Sequence, residues 1–179
     1  MRRTQDFTLR AARPDELRTL IAIDEDACEL YARAGLRIDL PADHPFVLGE
    51  TARWADAIAN GLAHVAVDSD DRPVGFAAVC LVDGNPYLDQ LAVRPSAMRR
   101  GIGSALLRHA IALSGDRTLW LTTYAHMAWN GPYYERNGFV RMPESACGPE
   151  LLAILEEQRA ALPEPGKRIA MARFHSTTA

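Results

Sequence analysis

The run from Tyr87 to Leu107 constrains this chain most: a β-type segment turns through a basic, glycine-punctuated loop into a helix. Tyr87 to Val93 reads as a strand, and Arg94-Pro95 breaks it, because proline has no N–H to give to a ladder. Arg99-Arg-Gly-Ile-Gly-Ser104 then opens directly into a helix. Its apolar residues Ile102, Ala105, Leu106, Ala110 and Leu113 make a stripe that also carries His109. The first N–H groups of a helix have no internal partner, and the helix dipole places partial positive charge there. Gly101 and Gly103 leave those amides unshielded, and Arg99 and Arg100 add charge, so the segment reads as an anion cradle suited to a pyrophosphate. Two common phosphate motifs are absent: there is no third glycine at the dinucleotide spacing, and no Gly-Lys-Ser/Thr ending.

The rest of the chain supplies an α/β order around this unit. Phe7 to Arg10 reads as a strand, and Arg13-Pro-Asp-Glu starts a helix that runs on to Ala34 and stops at Gly35. Leu36 to Gly49, with Pro41 and Pro45, is expected to be irregular, and Glu50 to Ala59 to be helical up to Asn60-Gly61. Ala63 to Asp68 and Pro73 to Val82 form a predicted hairpin through Ser69-Asp-Asp-Arg. Beyond the glycine loop come a strand (Thr118 to Thr123), a short helix near Tyr133 to Arg136 and a strand from Phe139. A late helix (Leu151 to Leu162) and a closing strand (Lys167 to Phe174) follow. The expectation is a single domain over residues 7–174 with a mixed sheet, and flexible termini at 1–6 and 175–179.

Composition narrows the partners. The net charge of −3 over 179 residues argues against a nucleic-acid or membrane-surface role, so the arginines of the loop act locally. Met1-Arg-Arg-Thr-Gln-Asp-Phe lacks the apolar core of a signal peptide, and no run reaches membrane-spanning length. The three cysteines are too scattered for a disulfide framework or a metal pair, and the histidines (44, 64, 109, 126, 175) are scattered too. A cytoplasmic location and no metal are the resulting expectations.

Two ordered segments resemble the GNAT N-acetyltransferase superfamily. Leu91-Ala-Val-Arg-Pro followed by Met98-Arg-Arg-Gly-Ile-Gly-Ser-Ala-Leu-Leu is similar to its strand, loop and helix motif, and Tyr134-Glu-Arg-Asn-Gly-Phe139 to a second element downstream. The likeness covers about residues 7 to 142. It departs at Met98, where the family usually has Gln or Arg, and at Met127, where it often has Asn. The resemblance implies a mixed, mostly antiparallel central sheet flanked by helices, and acetyl-CoA as co-substrate. Leu91, Ala92 and Val93 would pair with the pantetheine arm, and Arg99, Arg100, Gly101, Ile102, Gly103 and Ser104 would hold the pyrophosphate. Asn130-Gly-Pro has the pattern of a helix N-cap with proline in the first turn, so Asn130 is either that cap or a further cofactor contact.

Acetyl transfer to an amine needs a polarised thioester carbonyl, a neutral amine and a proton for the leaving thiolate. The N–H of Val93 is the candidate oxyanion donor. Tyr134 is the candidate acid, since a phenol of pKa about 10 stays protonated at neutral pH. Asp89 and His126 are candidate bases: strand alternation groups Asp89 with Tyr87, Leu91 and Val93, and His126 follows a strand at the expected sheet opening. Asp24, Glu25 and Asp26 form an acidic cluster that reads as a solvated face or as an attractor for a cationic amine. No cysteine has a histidine partner by spacing, so direct attack in a ternary complex is preferred to a covalent route. His44, Phe46, Trp54 and Trp129 lie in segments expected to line the acceptor side and hint at a partly apolar acceptor. The favoured function is acetylation of a small primary amine. A protein N-terminus or lysine is the alternative acceptor, and a non-catalytic acyl-CoA-binding module the rival class. A homodimer through an edge strand or the late helix is compatible with the pattern.

Overall fold

The structure is a computed structural model that describes residues 6–175. The flexible termini expected at 1–6 and 175–179 lie, apart from Asp6 and His175, outside the described residues.

Seven strands form one sheet in the order β1-β2-β3-β4-β5-β7-β6. The strands are β1 (Thr8–Ala11), β2 (Ala63–Val67), β3 (Pro73–Val82), β4 (Asn85–Val93), β5 (Leu119–Tyr124), β6 (Val140–Met142) and β7 (Arg168–Arg173). Every neighbouring pair is antiparallel except β4 and β5, which run parallel. The parallel step needs a crossover, and the helix α3 (Ile102–Ser114) provides it. The mixed, mostly antiparallel sheet expected from the sequence is therefore present.

Helices cover both faces. On one face α3 and the short α4 (Gly131–Arg136) bury Leu106, Leu107, Ile102 and Tyr134 against Leu119, Leu121 and Val79. On the other, α1 (Leu17–Arg33) and α2 (Pro45–Ala59) bury Leu20, Ile23, Trp54 and Ile58 against Val65 and Phe76. The last helix, α5 (Pro149–Ala161), packs Leu151 beside Tyr87, Val82 and Ala170.

Two local departures from the sequence expectation matter for the site. Helix α2 begins at Pro45, five residues before the expected Glu50. Proline at the first helical position lacks only an N–H that would be unpaired anyway, and the His44 Nδ1 caps the start by accepting from the Phe46 N–H at 3.1 Å. Glu50 is thereby a mid-helix residue instead of a terminal one. The second departure is a bulge in β4. Gln90 pairs with Ala78 and Leu88 with Val79, so Asp89 is an extra residue with no partner across the ladder. Its consequence is visible in the packing: Leu88 and Ala92, four residues apart, lie in opposite cores.

Among the described residues, no helix is long and apolar enough to cross a membrane. Among those residues also, no three His, Cys, Asp or Glu side chains gather as a metal site.

Candidate active site

The parallel pair β4–β5 is joined only where Tyr87 meets Trp120. Past that point the strands diverge and leave an opening in the middle of the sheet. A cavity of about 870 Å³ fills it, reaching from the start of α3 to the walls formed by α1 and α2. One edge of β4 is free along this opening. The Arg94 N–H donates to the Val74 carbonyl on the β3 side at 2.9 Å, so by alternation the Val93 N–H is turned to the open side. The Leu91 N–H, also on that side, is taken by its neighbour's Gln90 Oε1 at 3.0 Å.

The glycine loop closes one end of the cavity. Arg99 and Gly101 both have positive φ, +60° and +86°, which folds the chain back so that α3 starts at the cavity wall. Glycine adopts this backbone freely and arginine only under constraint. No side chain caps α3, so the amides of Ile102, Gly103 and Ser104, all lining the cavity, remain available to an anion. The structure separates the basic residues that the sequence grouped. Arg99 lines the cavity, whereas Arg100 reaches the Asp6 carbonyl at 3.3 Å and does not line it. Arg94 is ion-paired with Asp26. A pyrophosphate contact from Arg100 is thus corrected by its outward turn, and Met98 borders the cavity as an apolar side chain.

Tyr134 projects from α4 into the same cavity and is 8% exposed. Its position depends on Gly131: a Cβ there would lie 2.6 Å from the Ala125 carbonyl, so only glycine lets α4 sit this close to the end of β5. Burial first, then the neighbouring tyrosines Tyr31 and Tyr133, raise the Tyr134 phenol above its ordinary range, which keeps it protonated. Among the described residues no protein group bonds its hydroxyl. Asn130 stands at the N-cap of α4, but its side chain makes no cap; Nδ2 donates instead to the Tyr31 hydroxyl at 2.7 Å, at the cavity wall.

Both base candidates are placed differently from the sequence expectation. The bulge breaks the alternation that grouped Asp89 with Leu91 and Val93. Its side chain is 1% exposed; Oδ1 accepts from Arg53 Nε at 3.0 Å and Oδ2 from Trp54 Nε1 at 2.9 Å. Burial raises its pKa, and the Arg53 charge holds it down. With both oxygens committed, Asp89 anchors α2 to β4. His126 Nε2 lies 2.9 Å from Glu164 Oε2, and the residue does not line the cavity.

Four carboxylates line it, Asp24 and Glu25 from α1, Glu50 from α2 and Asp89 from β4. Asp89 is tied to Arg53 and Trp54, and Asp24 and Glu50 are the buried acids without an ion-pair partner among the described residues. Asp24 accepts from Gln90 Nε2 at 2.6 Å, the residue after the bulge. Its pKa is pushed up to about 7 by burial, then by the Glu25 charge, with the Gln90 hydrogen bond opposing and Asp89 adding to the rise. Glu50 is raised as well, chiefly by burial and then by the charges of Asp24 and Asp89. Burial and like charge thus favour the protonated forms of both acids, and a cation beside them would favour the charged ones. The sequence singled out Asp24 in its cluster but not Glu50, which it set at a helix start. Arg168, from β7, is the other missed residue: it is buried at the cavity wall, 4.7 Å from the centre of the Tyr124 ring. Cys28 also borders the cavity, but burial and the Asp24 charge push its thiol up to about 12, too high for a thiolate nucleophile.

Comparison with known proteins gives a consistent picture. Residues 60–141 match a domain family described as Acetyltransferase (GNAT) domain, a span that runs from β2 into β6 and takes in the glycine loop. An uncharacterized N-acetyltransferase of Escherichia coli, YafP, is 32% identical over 90 residues, covering 50% of this chain and 53% of its own. The [ribosomal protein bS18]-alanine N-acetyltransferase of Salmonella typhimurium is 37% identical over 79 residues, 42% of this chain and 53% of its own. The chain spans about half the length of these two relatives. A GNAT-family acetyltransferase structure from Staphylococcus aureus superposes with a TM-score of 0.67 over 95% of this chain and 99% of that one; at 15% identity the likeness is one of fold.

Proposed function

From the match of residues 60–141 to the GNAT acetyltransferase domain family, we propose that this chain is an acetyl-CoA-dependent N-acetyltransferase acting on a small primary amine. The observation that carries the reading is the opening between β4 and β5, which joins a free strand edge and an uncapped helix start within one cavity. Acetyl-CoA fits that arrangement chemically. Its pyrophosphate would meet the amides of Ile102, Gly103 and Ser104 with Arg99 beside them, and its pantetheine arm would lie along the edge of β4 at Leu91 to Val93. Asn130 is a polar neighbour for the arm.

Attack by the amine nitrogen on the thioester carbonyl forms the C–N bond and breaks the C–S bond. The Val93 N–H is the donor for the charge that develops on the carbonyl oxygen. Tyr134 gives a proton to the departing sulfur, and the nitrogen returns one to it as it becomes an amide. The Asp24–Glu50 pair takes the first proton, the one that turns the ammonium into a nucleophile. Apolar walls at Phe46, Trp54 and Trp129 suit an amine carried on an apolar body. The space between α1 and α2 suits a small molecule.

Steady-state CoA release measured on a panel of primary amines tests the reading, with Tyr134→Phe as the comparison. Turnover by the natural chain, reduced in the variant while acetyl-CoA affinity is retained, is expected. Acetyl-CoA binding with no turnover on any amine or amino-terminal peptide contradicts it in favour of a non-catalytic acyl-CoA-binding module.

A further inference from the structure

Arg168 is 8% exposed at the cavity wall, yet among the described residues no carboxylate lies within ion-pair distance of it. Its partners are neutral. Nη2 donates to Gln158 Oε1 at 2.6 Å and, at the 3.5 Å limit, to Thr122 Oγ1; the guanidinium carbon lies over the Tyr124 ring; Nε has no acceptor. Gln158 is itself buried, so it fixes the guanidinium from behind without neutralising it. A buried charge without its counter-charge is costly to keep, and the planar fork of arginine matches a carboxylate better than any other group in the protein. Across the cavity stand Asp24 and Glu50, acids whose burial favours their protonated forms until a cation joins them. A guanidinium without an ion-pair partner among the described residues, on β7, and two buried acids, on the α1–α2 wall, therefore border the same space.

We propose that the acceptor is a compact amino carboxylate with an apolar body: Arg168 takes its carboxylate while Asp24 and Glu50 receive its amine. This assignment rests on the transferase reading above and names the substrate class of that site. It gives Arg168 a binding role, without contact to the reacting atoms.

The test is calorimetric titration of the CoA-saturated protein with N-acetyl-L-leucine and N-acetyl-L-phenylalanine, each against its carboxamide. These probes keep size and shape and differ in the anionic group alone. The proposal expects the carboxylates to bind about tenfold or more tightly, the scale of one charge-assisted hydrogen bond to a buried partner. Arg168→Gln should abolish the difference and Arg168→Lys should keep part of it, with CoA affinity unchanged in both. Equal binding of acid and amide, tighter binding of the amides, or binding of neither would overturn the proposal and leave the transferase reading intact. Absence of CoA binding would instead overturn the transferase reading, and this one with it. The comparison of acid with amide needs only the natural chain, so it stands even where the arginine variants do not fold.

Discussion

Tyr134 and Asp89 are both buried and both border the cavity, yet their substitutions should separate cleanly. Tyr134→Phe removes one hydroxyl that no protein group bonds, so folding should be little changed. Turnover should fall by about 10²-fold, the usual scale for one general acid, with acetyl-CoA affinity constant. Asp89→Asn leaves Arg53 without its counter-charge and should lower unfolding free energy by about 3 kcal/mol in chemical denaturation. Asp24 makes a pH prediction in two measurable forms. Its carboxyl binds a proton more tightly in the folded chain (pKa about 7) than unfolded (ordinary value 3.8). Between those pH values the folded state holds more protons, so stability should fall as pH rises from about 4 to about 7, and Asp24→Asn should flatten that slope. The same ionisation should make kcat/KM rise through about pH 7 in the natural chain, and the variant should lose that limb. A pH-independent melting curve and an unchanged rate profile would contradict the role of Asp24.

At the scale of elements, the short helix α4 depends on one close approach. Gly131→Ala would place a Cβ 2.6 Å from backbone of Ala125, and neither chain segment can yield without moving Tyr134. The expected result is a lower Tm together with a loss of turnover larger than the loss of acetyl-CoA affinity, measured on the folded fraction. The glycine loop, the helix after it and the strand before it were legible in the sequence because each rests on local chemistry: Gly101, Pro95 and the apolar stripe of α3. The bulge at Asp89 was not. Alternation assumes a period of two, and neither glycine nor proline marks the extra residue, so the sequence assigned Asp89 to the wrong face. The start of α2 was hidden for a related reason. Pro45 reads as a breaker until His44 is seen to cap the turn that follows, and that shift is what carries Glu50 into the cavity.

For the whole molecule, the site is a product of topology. The single parallel pair in the sheet is joined only near Tyr87 and Trp120, and the gap beyond brings α1, α2, α4 and β7 to one cavity. Asp24, Glu50 and Arg168 are far apart in sequence, on three elements, and nothing local in their segments foretells that they meet. The proposed cofactor half of the site was readable because it lies in one continuous stretch; the proposed acceptor half was not, because it is assembled from the ends of the chain. The central claim is that the start of α3 holds the anionic end of acetyl-CoA. Gly103→Glu tests it most directly, since a Cβ at Gly103 meets only Val93 at 3.9 Å, and glutamate in a first helical turn favours the helix while repelling an anion. Calorimetric titration with acetyl-CoA should give micromolar binding in the natural chain and binding weaker by about tenfold or more in a variant that melts no earlier. Equal affinity in the two, or no binding in the natural chain, would contradict the account.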